Sequence, residues 1–159
     1  MENFGVRFFA KRDPDFIAVV DPNGAEWCRG ALQNLANGFA RALWAAGLVP
    51  GDCVAVVAPN CAHYLGVVLG GLAAGLYVVP INWHLADDET AYVLRDSGAK
   101  AVVVHERLGP VRLAAHREIC ADIGVRVVAG GESAGFLSLH EFVAPHGCAA
   151  LENRTTGRV

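Results

Sequence analysis

Short valine-rich runs that alternate with longer helix-like segments constrain this sequence more than any other feature. The runs lie at residues 53–58, 77–81, 101–104 and 125–128. Continuous apolar runs of this length are typical of parallel strands that helices cover on both faces. A segment long enough for a helix separates most runs from the next. The sequence therefore predicts βαβ units in an α/β fold, with a mostly parallel sheet flanked by helices on both faces.

The segments around the runs carry the periodicity of helices. Leu32, Leu35, Phe39 and Leu43 recur at helical spacing and predict a helix over residues 29–46. Further helices are predicted over residues 63–74, 86–97, 111–123 and 137–143.

Turn and capping residues mark the ends of these elements. Residues 21–24 (DPNG) are strong turn formers and predict a hairpin whose second strand contains Trp27. Asn60 follows a proline and is predicted to cap the next helix. The acidic residues 87–89 match the positive end of a helix, which favours surface charge over a metal cluster.

Composition excludes one class of partner and favours a compartment. The formal net charge is -3 and no basic stripe occurs, so we expect no nucleic-acid partner. The five cysteines include no C-x-x-C pair, which suits a reducing environment. Because the first residues also lack the pattern of a secretory signal, the sequence predicts a cytoplasmic protein.

Residues 64–81 form an uncharged stretch that approaches the length of a membrane-spanning helix. Glycines at 70, 71 and 75 interrupt it, and Pro80 ends it. A buried helix followed by a buried strand gives the same hydropathy, so we expect no transmembrane segment. The same glycines are predicted to allow close packing rather than to form a phosphate loop, since no G-x-x-x-x-G-K-[ST] motif occurs.

Three stretches together resemble the amino-terminal subdomain of the adenylate-forming superfamily, which holds acyl-CoA synthetases, luciferases and peptide-synthetase adenylation domains. They are residues 42–60 (ALWAAGLVPGDCVAVVAPN), 70–85 (GGLAAGLYVVPINWHL) and 89–104 (ETAYVLRDSGAKAVVV). The sequence of residues 80–85 (PINWHL) is similar to the corresponding sequence of fatty- or aryl-acid CoA ligases.

This resemblance implies a chemistry and also implies which parts of it are missing. Such enzymes activate a carboxylic acid with ATP and Mg²⁺ as an acyl-adenylate and pass the acyl group to CoA. The phosphate-gripping, adenine-holding and ribose-binding segments of the family have no counterpart in residues 1–159, so no catalytic and no cofactor-binding residue is predicted here. We expect a subdomain over residues 1–145 and a polar tail over 146–159, whose residues 154–159 resemble the segment that precedes the phosphate loop.

Candidate pocket residues follow from the position of strand ends, because sites in open α/β sheets lie at the carboxyl ends of strands. Asn60 and the cluster of Asn82, Trp83 and His84 come just after two predicted strands and are candidates for a substrate pocket. The alternatives are helix capping for Asn60 and packing for Trp83.

Other constellations are weaker. No metal site is predicted, because His140, His146 and Cys148 lack the paired spacing of zinc ligands. Ser133 and Ser138 lack the G-x-S-x-G setting of a hydrolase nucleophile.

A second hypothesis is an interaction module, which dimerises or binds a partner that supplies the missing half. The observation behind this hypothesis is the hydrophobic content of 53%. A third is an independent α/β domain that binds a small molecule.

Overall fold

The computed structural model describes residues 6–151, which form a five-stranded parallel sheet between two layers of helices, with a small hairpin at one side. The helices are α1 (Val6–Arg12), α2 (Arg29–Ala45), α3 (Ala62–Ala73), α4 (Asp87–Ser97), α5 (Gly109–Ile119) and α6 (Leu139–Val143). The strands are β1 (Ile17–Val20), β2 (Glu26–Cys28), β3 (Cys53–Val57), β4 (Tyr77–Ile81), β5 (Ala101–His105), β6 (Val125–Ala129) and β7 (Leu137–Ser138). Short 3₁₀ turns occupy Glu106–Leu108 and Ala144–His146.

The sheet has the spatial order β4-β3-β5-β6-β7, and every neighbouring pair is parallel. Val57 of β3 lies opposite Ile81 of β4 and Val104 of β5. Every residue of β3 and β5 is buried, which is why these strands are apolar throughout. The predicted α/β fold is confirmed.

Alternate side chains of the strands enter two separate cores, because successive residues of a strand point to opposite faces of the sheet. Val54 and Val56 pack with Phe39 and Leu43 of α2 on one face. On the other face, Ala55 and Val57 belong to the core completed by α4 and α5; this core contains Val102, Val104, Leu94 and Leu113. The predicted placement of helices on both faces is therefore confirmed.

Glycines let α3 lie close to both α2 and the sheet. A Cβ atom on Gly70 would stand 2.7 Å from the main-chain oxygen of Ala36, and one on Gly71 would stand 2.8 Å from the Cγ2 atom of Val78. Close packing is therefore confirmed for Gly70 and Gly71, whereas Gly75 lies beyond the end of α3 with a φ of 81°. No helix within residues 6–151 combines the length and the apolar character needed to cross a bilayer.

The structure corrects the predicted cap of α3. Asn60 is exposed, and the N-cap is Cys61, whose extended backbone places its Sγ atom to accept the main-chain N–H of Tyr64 at 3.4 Å. Cysteine is not among the residues that usually cap helices, which is why the sequence pattern favoured Asn60.

Other elements also differ from the predictions. Helix α5 ends at Ile119 rather than at residue 123, because the chain turns there. The N–H of Ile123 donates to the main-chain carbonyl of Cys120, and the Cys120 side chain is fully buried in the core. Residues 137–138 are a short strand that precedes α6, and α1 was not predicted. The DPNG hairpin is confirmed as the antiparallel pair β1–β2.

Candidate functional site

The strand order reverses between β3 and β5, and the chain places several polar side chains at that point. From β3 the chain crosses by α3 to β4 on one side, and it then returns by α4 to β5 on the other side. In doubly wound sheets a crevice opens at the carboxyl ends of the two strands that flank such a reversal, and ligands bind there. The loops after β3 and β5 therefore define the candidate site.

Cys61, His63 and His105 converge at this reversal. One ligand-type atom from each side chain, a thiol sulfur or a ring nitrogen, lies within 4.8 Å of the others. Cys61 and His63 belong to the start of α3, whereas His105 is the last residue of β5. This cluster was not predicted, because no local pattern in the sequence indicates that β5 pairs with β3 rather than with β4.

Burial sets the protonation of these groups. It lowers the pKa of His105 to about 4, with the neighbouring His63 and Arg107 as further causes. It also lowers the pKa of His63 and raises the pKa of the Cys61 thiol. At neutral pH both imidazoles are neutral and the thiol keeps its proton, so every member of the cluster is uncharged.

Each side chain of the cluster also has a local contact. His105 Nδ1 accepts the main-chain N–H of Arg107 at 3.1 Å. The ring of His63 lies 5.1 Å from the Trp27 ring and 5.8 Å from the His105 ring, measured between centroids. Asp21 accepts the N–H of Ala62 at 2.8 Å, which fixes a carboxylate at the start of α3.

Two cavities meet at His63 and Gly130. The smaller, about 140 Å³, is lined by the cluster together with Asp21 and Glu106. The larger, about 570 Å³, extends toward Trp27 and Leu35 and along α6. A cavity of this larger size lies within the range of small-molecule sites, which are commonly a few hundred cubic ångströms.

The predicted pocket residues lie at the same edge of the sheet but engage mainly their own loop. Asn82 Oδ1 accepts the N–H of His84 at 3.0 Å, and the rings of Trp83 and His84 lie 4.2 Å apart. Trp83 is half-buried and packs against the core beneath α4 and α5. Asn60, Asn82 and His84 are exposed. Their role in binding a substrate stays a prediction.

Arg112 of α5 holds the loop that carries Trp83 and His84. Its guanidinium donates to the carbonyl of Trp83 at 2.5 Å and to the carbonyl of Leu85 at 2.7 Å. It also lies 3.7 Å from an Asp87 carboxylate oxygen. The loop after β4 is thus fixed by a side chain from another element, and no pattern in the sequence indicates this contact.

Other polar side chains have structural roles. Asp52 accepts the N–H of Val49 at 2.9 Å and pairs with Lys100, which fixes the turn before β3. Ser138 caps α6 together with Glu141. Within residues 6–151, the cluster is the one group of three or more His, Cys, Asp and Glu side chains that lie close enough to share an ion. His140, His146 and Cys148 form no such group.

The described residues do not fit a triphosphate. The only glycine pair that directly follows a strand of the parallel sheet in residues 6–151 is Gly130-Gly131, after β6. The Glu106 carboxylate packs against Gly131, and the chain continues to a two-residue strand rather than to a helix. A phosphate loop needs converging main-chain N–H groups at a helix start and an excess of positive charge.

The fold, a five-stranded parallel sheet between helices, matches the amino-terminal subdomain of adenylate-forming ligases. The chain belongs to the AMP-binding enzyme family, whose sequence model matches residues 6–142. Among curated relatives it is similar to the fatty acid–[acyl-carrier-protein] ligase ScoC of Streptomyces coeruleorubidus, at 36% identity over 65% of this chain. It is likewise 36% identical, over 70% of the chain, to the long-chain-fatty-acid–CoA ligase FadD13 of Mycobacterium tuberculosis.

Solved structures agree with these relatives. The N-terminal domain of FACL13 from Mycobacterium tuberculosis superposes with a TM-score of 0.74 at 28% identity, over 96% of this chain and 37% of that one. The anthranilate CoA ligase AuaEII superposes with a TM-score of 0.74 at 26% identity, over 91% of this chain and 28% of that one. The matched segment spans 20% of the length of ScoC and 23% of the length of FadD13.

Proposed function

We propose that this chain is the amino-terminal part of an ATP-dependent acyl-CoA ligase for a fatty or aryl acid. The whole enzyme would activate the carboxylate as an acyl-adenylate and transfer it to CoA, with ATP, Mg²⁺ and CoA bound by parts outside these residues. The observation that carries the proposal is the likeness of the described residues, over almost their whole length, to the N-terminal domain of FACL13.

In this proposal the present residues supply a scaffold and one wall of the acyl pocket. The sheet holds the loops after β3 and β4 at one edge, and Arg112 fixes the second of them. Asn60, Asn82, Trp83 and His84 are the proposed lining residues. The half-buried Trp83 offers an apolar face of the kind that a fatty or aromatic group contacts.

The test is pyrophosphate release with ATP, Mg²⁺ and a panel of fatty and aromatic acids. We expect none from this chain alone, and release from a chimera that joins residues 1–142 to the part of FadD13 that follows the matched segment. Release by the isolated chain would contradict the assignment of adenylation to other residues. A chimera that folds but releases none would contradict the ligase assignment itself.

A second candidate function is an interaction module, and one surface favours it. Val49, Leu72 and Tyr77 are exposed apolar side chains at the amino ends of β3 and β4, and β4 is an edge strand. Two main-chain hydrogen bonds connect the segments that carry these side chains. The N–H of Gly51 donates to the carbonyl of Gly75, and the N–H of Tyr77 donates to the carbonyl of Asp52. Light scattering tests this function, since a chain that is monomeric at every concentration gives no support to a dimer.

A further inference from the structure

We propose that Cys61, His63 and His105 form a binding site for a transition-metal ion, and that Zn²⁺ is the ion their chemistry favours. One thiol and two imidazoles are a ligand set that zinc and cobalt accept in proteins, whereas magnesium and calcium require oxygen ligands. The proposal is independent of the ligase function, because it concerns only side chains of this chain.

The separations of the three ligand atoms are compatible with binding one ion after a small movement. The three ligand-type atoms lie within 4.8 Å of one another, whereas ligands on one tetrahedral zinc stand roughly 3.5 Å apart, given bonds of about 2.0 to 2.3 Å. A movement of about 1 Å closes this gap. Cys61 and His63 are both partly exposed, which leaves their side chains room for that movement, while His105 is fixed by burial at 4% exposure.

The fold brings the three ligands together from two separate elements. Cys61 and His63 come from the start of α3, and His105 comes from the end of β5, on the two sides of the strand reversal. That crevice is the position at which doubly wound sheets bind ligands. The cluster also lines a cavity of about 140 Å³, which is large enough for an ion and a bound water.

The surroundings supply negative charge. Asp21 and Glu106 line the same cavity, and Asp21 is held in place by its bond to the N–H of Ala62. Arg107 opposes them with one positive charge. The excess of one carboxylate favours a divalent cation, and the three protein ligands leave a fourth position for water, the arrangement of zinc sites that act on a substrate.

Binding forms three bonds to the ion, breaks the S–H bond of Cys61 and releases one proton. The Cys61 thiol gives its proton to solvent and binds the ion as a thiolate. Nδ1 of His105 accepts the N–H of Arg107 at 3.1 Å. Nδ1 therefore carries no proton, and its lone pair is the one through which the neutral ring can bind a metal ion. An ion at this atom replaces that hydrogen bond. His63 binds through the neutral ring nitrogen that carries no proton.

The experiment is a titration of the full 159-residue chain with Co²⁺, after treatment with a chelator and a reductant. We expect one ion per chain, a thiolate-to-cobalt charge-transfer band, and visible bands of a tetrahedral ion that added Zn²⁺ abolishes. Cys61→Ser removes the charge-transfer band but keeps a side chain that caps α3. His105→Gln and His63→Gln each weaken binding by about a hundredfold.

Matched controls are Cys148→Ser, His140→Gln and His146→Gln, which remove side chains outside the cluster. We expect each control to bind Co²⁺ like the unaltered chain, with circular dichroism confirming the fold of every variant. A folded chain that gives no charge-transfer band overturns the proposal. It is also overturned if Cys61→Ser keeps the band, or if Cys148→Ser loses it.

Discussion

Gly70 shows what a single residue decides in this protein. It lies where α3 crosses α2, and a Cβ atom there would stand 2.7 Å from the Ala36 carbonyl oxygen and 3.0 Å from the Phe39 ring. The nearest obstacle is main chain, which does not yield by a change of rotamer. Gly38, in the middle of α2, has neighbours only at 3.4 Å and beyond, which is ordinary van der Waals contact.

We therefore expect Gly70→Ala to lower the free energy of unfolding by about 1 to 3 kcal/mol, because the added methyl group forces the two helices apart. Gly38→Ala is the matched control and is expected to raise the free energy of unfolding by up to about 1 kcal/mol, through helix propensity. Urea unfolding of both variants measures the difference. Equal stability of the two would contradict the crossing contact.

Asp52 is a second residue whose environment has a measurable effect. A hydrogen bond from Lys100, at 2.6 Å, and one from the N–H of Val49 hold the pKa of its carboxyl below the ordinary value of 3.8. A carboxyl whose pKa is lower in the folded state stabilises the fold above its unfolded pKa. This contribution is lost as the pH falls through the folded pKa.

We expect Asp52→Asn to be less stable than the unaltered chain at neutral pH, and we expect this difference to shrink as the pH falls below 3.8. Urea unfolding at a series of pH values measures it. Asp96→Asn, which removes an exposed carboxylate from α4, is the control for net charge. A difference that stays constant down to the acid limit of folding would refute the role of the ionised carboxyl.

At the scale of elements, α5 determines the conformation of the loop after β4. This loop carries three of the four predicted pocket residues, and its carbonyl groups at Trp83 and Leu85 accept both bonds from Arg112. Hydrogen bonds from a charged donor contribute about 1.5 to 3 kcal/mol each. The shape of the proposed acyl pocket thus depends on a helix that contributes no predicted pocket residue.

Arg112→Met is expected to speed hydrogen exchange of main-chain amides in residues 82–86 by at least about tenfold, which corresponds to the loss of roughly 1.4 kcal/mol. Mass spectrometry of the peptide that covers this loop measures the rate. Arg117→Met, on the same helix with an exposed partner at Glu118, is expected to leave the rate unchanged. If both variants exchange alike, Arg112 does not fix the loop.

At the scale of the whole molecule, the two edges of the sheet differ in kind. Edge strand β7 has only two residues, whereas edge strand β4 has five and exposes Tyr77 at 71%. Leu72, at 56%, lies near it. Long exposed edges with apolar neighbours are sites of association.

The double variant Leu72→Lys with Tyr77→Lys is therefore expected to lower the mean mass of the chain in concentrated solution, as measured by light scattering. Tyr92→Lys, which changes an equally exposed aromatic side chain on α4, is expected to have no effect. Association that is insensitive to the double variant would place the contact elsewhere.

The sequence alone determined the elements that depend on neighbours along the chain. The runs at β3 and β5 became fully buried strands because both of their faces are apolar, and the DPNG turn became a hairpin because its residues favour that backbone. The resemblance carried by residues 42–104 also led to the family. The same local logic placed Asn82, Trp83 and His84 just after a strand, and their role in binding a substrate stays a prediction.

Only the tertiary structure decided which strands are neighbours. β5 pairs with β3 although β4 lies between them in the chain, and this pairing is what brings His105 to Cys61 and His63. The same holds for Arg112, which is remote in sequence from the carbonyl groups that it binds. Periodicity and capping act over a few residues, whereas strand order follows from the burial of whole faces, so a site assembled across the reversal has no signature in the sequence.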